Sequence, residues 1–156
     1  MEKLRAGSTL NGKRFKVRLD GNNLLPFLRG EQKESPREEF LYWSDDGDLM
    51  ALRYENWKAV FAEQRADGFK VWSEPLVKLR VPLLFNLRSD PFEKAQHESI
   101  YYNDWLVHRV FLLVPAQGFV ARWISSFKDF PPRQKPASFS IDEVMAKLEA
   151  GVTKNR

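Results

Sequence analysis

Three carboxylates around one glycine are the first residues in the chain that could do chemistry. Asp45, Asp46 and Asp48 flank Gly47 in the stretch "SDDGDLMALRYENWKAVF". A calcium loop of the EF-hand type needs acidic ligands at alternate positions, a glycine between them and a distal glutamate, and this spacing is missing. Asp and Gly between two β-favouring runs are instead typical of a hairpin connection. We therefore expect a turn here, with no bound calcium.

The other candidates for chemistry are isolated from one another. His97 and His108 stand in different sequence environments, and the chain has no cysteine, so a zinc site of the usual spacing is not expected. We expect His97 in a loop and His108 on the flank of a helix. Ser35 precedes Pro36 and Arg37 in a charged loop, which is typical of a turn rather than a nucleophile. The sequence predicts no catalytic, cofactor-binding or metal-binding residue.

Length and charge limit the classes of protein to consider. The 156 residues suit a single domain, 1–156, whose ends 1–12 and 151–156 are expected to be flexible. The net charge is only +4, and the basic residues are interleaved with acids, so no nucleic-acid partner is expected. The basic segment "KDFPPRQK" and the terminal Lys154 and Arg156 are interpreted as a solvated linker and tail.

One apolar stretch, "WLVHRVFLLVPAQGFVARWI", needs a separate explanation. It is interrupted by polar and helix-breaking residues, among them His108, Arg109, Pro115 and Arg122. We therefore expect buried or interfacial protein surface and no membrane span. The N-terminus shows no apolar region typical of a secretory signal, and the compartment stays undetermined.

Hydrophobic periodicity predicts strands first and helices afterwards. "RFKVRLDG" alternates like a half-buried strand, and from Phe40 the chain reads as a meander whose strands are "EFLYW", "LMALRY", "WKAVFAEQ", "FKVW" and "PLLFNLR". Beyond Asp90 the spacing becomes helical. We predict a helix over "SIYYNDWLVHRVFLLV" that Pro115 stops or kinks, and a weaker one after it. The fold class is α+β, an antiparallel sheet of about four strands packed against C-terminal helices.

The clearest local helix signal lies near the C-terminus, in "SIDEVMAKLEAG". Ser140 is the expected N-cap, and Glu143 is its capping-box partner. The predicted inner face consists of Val144, Met145 and Leu148, and Gly151 ends the helix.

Four segments, taken in order, resemble the C-terminal portion of bacterial arylsulfatases of the formylglycine-dependent sulfatase family. They are "DGNNLLPFLRGE", "SPREEFLYWSDDGDLMALRYENWKAVF", "LFNLRSDPFEKA" and "FPPRQKPASFSIDEVMAKL", and the match runs from about Lys13 to Leu148. The combination is what makes the match specific: a hairpin with Arg53, Trp57 and Lys58 precedes Leu-Phe-Asn-Leu, Asp90-Pro91 and Glu93.

The resemblance implies a subdomain that packs beside a larger α/β catalytic core. In that core a Cys or Ser becomes formylglycine, and Asp and Asn side chains hold a divalent cation, usually calcium. Ser35-Pro36-Arg37 has the wrong spacing for the formylglycine motif. We expect no cofactor in this chain, no sulfatase activity of the chain alone, and the core as partner, the chain being a fragment, a truncated product or half of a split gene.

A different class of function stays open beside this one. The chain could be a stand-alone module that binds a protein or another ligand through its aromatic residues. In either case the segment Trp105 to Val114 is too apolar for one small sheet to cover. We therefore expect the isolated domain to form a homodimer, or to exchange its helical segment through "FPPRQKP".

Overall fold

A four-stranded antiparallel sheet is the centre of the fold. The structure is a computed structural model, and it describes residues 2–132 and residue 145. The elements in these residues are α1 Glu2–Ala6, β1 Ser8–Leu10, β2 Lys13–Phe15, α2 Leu25–Leu28, β3 Glu39–Trp43, β4 Leu49–Tyr54, β5 Trp57–Glu63, β6 Val77–Asn86, α3 Ala95–Glu98, α4 Tyr102–Val107 and α5 Leu113–Ser125. Short 3₁₀ helices cover Gly68–Trp72, Val110–Leu112 and Ser126–Lys128.

Four of the five strands predicted for the meander are confirmed, and they form the predicted antiparallel sheet of about four strands. The strands lie in the order β3-β4-β5-β6, and each neighbouring pair is antiparallel. Leu52 pairs with Ala59, and Ala59 pairs with Leu84, so these three side chains lie on one face of the sheet. All three are at most 5% exposed and belong to the centre of the core.

Strand β6 is longer than predicted and lies at the sheet edge. Its ten residues include Pro82, and the register against β5 shifts between Val60 and Ala62. An edge strand tolerates proline because one side of its backbone has no partner strand to bond. The irregularity therefore does not interrupt the sheet.

The prediction of a strand at "FKVW" is wrong, because Gly68–Trp72 is a 3₁₀ helix. The side-chain amide of Gln64 donates to the carbonyl oxygens of Val71 and Glu74, at 3.2 and 3.0 Å. These bonds hold the segment in a tight loop, and they occupy carbonyl groups that a sheet ladder would use. A pattern of alternating residues does not reveal such a side-chain clamp.

The predicted half-buried strand near the N-terminus is also wrong for most of its length. Only Lys13–Phe15 is a strand, and it pairs with Ser8–Leu10 in a separate two-stranded hairpin. Leu19, expected to face the core, is 48% exposed. The alternation is present, but among residues 2–132 no third strand extends this hairpin, and a lone hairpin has little apolar surface to bury.

The helical part is divided differently from the prediction. The first predicted helix is broken at His108 and Arg109, between α4 and the 3₁₀ turn Val110–Leu112. Pro115 does not stop a helix, because it lies in the first turn of α5. Backbone N–H groups of a first turn have no partner within the helix, so a proline there removes no hydrogen bond.

Aromatic contacts fix the helices on one face of the sheet, as the α+β prediction requires. Trp105 of α4 stacks on Trp57, with ring centroids 6.0 Å apart. Phe119 of α5 lies 4.6 Å from Tyr54, centroid to centroid. Further along α5, the rings of Trp123 and Trp43 are 4.9 Å apart.

The predicted helix that begins at Ser140 falls largely outside the described residues, including Glu143, Val144, Leu148 and Gly151. Met145 is described: it is helical and 52% exposed, against the prediction that it belongs to a buried inner face.

Candidate interaction surface

The acidic stretch forms the β3–β4 turn, as predicted. The N–H of Gly47 donates to the carbonyl oxygen of Ser44 at 3.1 Å, and Gly47 has a φ of 85°, a conformation open to glycine. The Ser44 hydroxyl accepts a bond from the N–H of Asp48 at 3.0 Å. The Asp48 carboxylate pairs with Lys78 at 3.0 Å. The absence of calcium from this turn stays a prediction.

The two histidines lie in separate local settings. His97 belongs to the short helix α3, not to the predicted loop, because the N–H groups around it bond back to Lys94 and Ala95. His108 caps the C-terminal end of α4, on a helix flank as predicted, and its Nδ1 lies 2.8 Å from the carbonyl oxygen of Asp104. Within residues 2–132, no three His, Asp or Glu side chains cluster as metal ligands would.

The Ser35 hydroxyl is used in a turn, as predicted. It donates to the carbonyl oxygen of Arg37 at 3.0 Å and accepts from the Arg37 N–H at 3.3 Å. The Arg37 guanidinium lies over the ring of Phe40. The hydroxyl therefore serves the local backbone, with no base shown to activate it.

Two of the segments that resemble arylsulfatases contact each other through the side chains of Lys58 and Glu93. The Lys58 ammonium contacts both oxygens of the Glu93 carboxylate, at 2.6 and 2.8 Å, and lies 4.8 Å from the ring centre of Tyr42. Glu93 has a φ of 56°, which is rare for a residue with a side chain. The carboxylate of Asp90 accepts the N–H groups of Lys94 and Ala95. These residues build a fixed corner between the sheet and α3.

Tyr102 is an important structural residue that the sequence did not single out. Its hydroxyl donates to the carbonyl oxygen of Leu84 at 3.0 Å and accepts from the Leu84 N–H at 3.1 Å. These backbone groups point away from β5, so the hydroxyl satisfies the open edge of β6. No local pattern marks this role, because the two residues are eighteen positions apart.

An exposed apolar ridge runs along the outer side of the helices, formed by Val107, Val110, Phe111 and Val114. Phe111 and Val114 are 65% and 70% exposed. Leu112 and Leu113 point the other way and pack against the core cluster. The inner sides of these helices pack on the sheet, whereas the described part of the chain leaves the ridge exposed. It is the candidate surface for a partner.

A second apolar feature lies in the connection between strands β5 and β6. In the 3₁₀ helix Gly68–Trp72 the side chains of Phe69 and Trp72 are 93% and 83% exposed. Three residues make one 3₁₀ turn, so residues three apart lie on the same side. Both aromatic side chains therefore project from the same side of a loop that the Gln64 side chain holds in place.

The segment Val110–Lys128 has the length and composition of a membrane span. It comprises 19 residues, of which a window of 18 has a mean hydropathy of 1.3 and is 6% buried. The core helices of soluble proteins can have the same length and composition. Phe119 and Trp123 of this segment pack on the sheet. The expectation of no membrane span stays a prediction.

The described residues form an α+β domain. An antiparallel meander of four strands is covered on one face by helices, and aromatic side chains make the contacts between the two layers. The family model described as the C-terminal region of aryl-sulfatase matches residues 35–106. Residues 35–106 are therefore similar to a sulfatase C-terminal region, and they comprise the whole four-stranded sheet and most of α4. The resemblance found in the sequence is confirmed over these residues.

A solved structure is also similar to the chain. It is the crystal structure of the PsFucS1 sulfatase from Pseudoalteromonas sp., with 23% sequence identity and a TM-score of 0.44. The likeness covers 63% of this chain and 19% of that one, so this chain spans only a small part of that sulfatase. A comparison with curated proteins gives no match.

Proposed function

We propose that the chain is the C-terminal subdomain of an arylsulfatase-like sulfuric ester hydrolase, which packs on a catalytic core and completes it. The observation that carries this proposal is the match of residues 35–106 to the C-terminal region of aryl-sulfatase. The exposed ridge supports it, because apolar surface that none of the residues 2–132 covers is typical of an interface.

In this proposal the core supplies the chemistry, namely the formylglycine and the divalent cation. Sulfate ester hydrolysis needs an activated nucleophile and a cation that stabilises developing negative charge. The chain has no cysteine, and the hydroxyl of Ser35 is bonded to the backbone of Arg37. The role proposed for this chain is to position and stabilise the core.

The first test is activity of the purified chain. We expect no turnover of an aryl sulfate ester above the blank, with or without added calcium. Turnover by the chain alone that a chelator abolishes would contradict the proposal, because it would place both nucleophile and cation in these residues.

The second test is assembly. A sulfatase core expressed without its C-terminal region should form a one-to-one complex with this chain in sedimentation velocity. Phe111→Asp should weaken the complex at least tenfold because it places a charge on the apolar ridge. The control Val81→Asp, at an exposed position of β6, should bind normally. Absence of a complex with any core, including one encoded beside this chain, would reject the packing role.

The alternative is a stand-alone binding module, and the exposed rings of Phe69 and Trp72 favour it. Exposed aromatic side chains are typical anchors of protein interfaces. Replacing both by serine should abolish partner binding if the chain is a module of this kind. If the chain docks on a core through the ridge, the same double variant should leave that docking intact.

A further inference from the structure

An apolar cavity of about 230 Å³ lies between the sheet and α5. Its lining is almost entirely apolar or aromatic, and it comprises Leu52, Tyr54, Glu55, Trp57, Ala59, Leu84, Leu112, Pro115, Ala116 and Phe119. No residue of the acidic turn and neither histidine takes part. The cavity is thus separate from the residues that the sequence offered as candidates for chemistry, namely the acidic turn, the histidines and Ser35.

The cavity exists because two small side chains line the layers on either side of it. Ala59 lies on the sheet and Ala116 on α5, and both are buried. Protein interiors contain few voids larger than a water molecule, since unfilled space loses packing contacts. A larger residue at either position would take up part of this space.

The shape and walls of the cavity select the kind of molecule that fits. The rings of Tyr54 and Phe119 lie 4.6 Å apart, and Trp57 contributes a third aromatic wall. Aromatic walls favour flat ligands through offset or edge contacts. An apolar cavity of about 150 Å³ in another protein stays dry and binds benzene, so this cavity has room for one or two rings.

Charge at the Tyr54 end acts against anions. The carboxylates of Glu38 and Glu55 raise the pKa of the Tyr54 phenol above its ordinary value because they disfavour a further negative charge there. The Arg122 guanidinium, which lies over the Phe119 ring, opposes this shift but does not reverse it. Glu55 itself lines the cavity. An anionic ligand would meet the same repulsion, whereas a neutral one would not.

We propose that the space between Ala59 and Ala116 is a binding site for a neutral, planar aromatic molecule of one or two rings. The site takes no part in sulfate ester hydrolysis and does not depend on the proposed function. Its ligand enters between α5 and the β4–β5 hairpin, where Tyr54 and Glu55 lie.

The test uses 1-naphthol as probe and 1-naphthyl sulfate as its anionic counterpart. Calorimetry at pH 7 should show saturable binding of one naphthol per chain, and binding of the sulfate at least tenfold weaker. In the wild-type chain, naphthol should shift the NMR amide signals of Ala59 and Ala116. Equal affinities would overturn the charge selection, and absence of saturable binding would overturn the site itself.

A pair of variants of α5 provides the matched control. Ala116→Leu fills the cavity and should reduce naphthol affinity at least tenfold, whereas Ala121→Leu adds the same side chain at an exposed position and should not. Unchanged binding in Ala116→Leu would overturn the proposal. Should that variant fail to fold, the NMR shifts of the wild type decide: shifts confined to residues away from Ala59 and Ala116 reject the site.

Discussion

At the scale of single residues, Tyr102 combines burial with a polar task. The side chain is 5% exposed and packs near Phe85, and its hydroxyl bonds both backbone groups of Leu84. A buried backbone group without a partner costs free energy, so this one hydroxyl lets β6 be covered by a helix rather than by another strand.

We predict that Tyr102→Phe lowers the free energy of unfolding by about 1–3 kcal/mol, because it leaves the N–H and carbonyl of Leu84 unpaired. Urea denaturation followed by circular dichroism measures the change. The control Tyr101→Phe removes a hydroxyl from an exposed ring and should change stability little. An equal effect of both variants would contradict the edge-bonding role.

Tyr102 also predicts a dependence of stability on alkaline pH. Its pKa is raised above the ordinary value, chiefly because burial disfavours the phenolate, while the bond to the Leu84 backbone opposes the shift. The unfolded tyrosine loses its proton near pH ~10. The stability contribution is therefore complete below that pH and is lost as the pH rises through the raised pKa. Tyr102→Phe should flatten this alkaline loss, measured as unfolding free energy between neutral and alkaline pH.

The pair of Lys58 and Glu93 is the second residue-scale contribution. Both side chains are largely shielded, with 16% and 31% exposure, and the carboxylate receives two short contacts. We expect Glu93→Gln to lower the unfolding free energy by about 1.5–3 kcal/mol, as for a hydrogen bond to a charged group. Glu98→Gln, which disrupts the exposed pair with Lys94, should cost less than about 0.5 kcal/mol. Equal losses would reject a special role for Glu93.

At the scale of elements, the position of Pro115 decides its effect. It lies in the first turn of α5, where its missing N–H removes no helical bond. Pro115→Ala should therefore change the unfolding free energy by less than about 1 kcal/mol. Ala121→Pro, in the middle of the same helix, should cost about 3 kcal/mol or more. A gain in helical circular dichroism in Pro115→Ala would show instead that Pro115 interrupts a longer helix.

At the scale of the whole molecule, the exposed ridge predicts self-association. Exposed apolar patches of several hundred Å² usually meet a partner, and a two-fold dimer lets one patch meet itself. Light scattering at micromolar concentration should give a mass near twice 18.3 kDa. Phe111→Asp should shift the mass toward the monomer, whereas Leu112 is unsuitable for this test because it packs on the core cluster. A monomer that stays soluble at all concentrations would contradict the prediction.

The sequence by itself determined the sheet. The strands β3, β5 and β6 are rich in aromatic or β-branched residues, and turn-forming residues such as Asp46-Gly47 mark the ends of β3 and β4. These signals are local, because a hairpin pairs residues that are close in the chain. The same locality explains why the acidic stretch could be interpreted as a turn and Ser35 as a turn residue.

Only the tertiary structure decided where the helices begin and end, that Glu93 contacts Lys58, and that a cavity lies between the sheet and α5. Lys58 and Glu93 are 35 residues apart, and Tyr102 meets Leu84 across eighteen, so no window of sequence contains both partners. The alternation before Gly21 predicts a buried strand, yet burial needs a covering layer that the described residues do not supply there. Local preference sets which backbone conformations are favourable, but the choice among them follows from which apolar surfaces meet, and that is a property of the assembled chain.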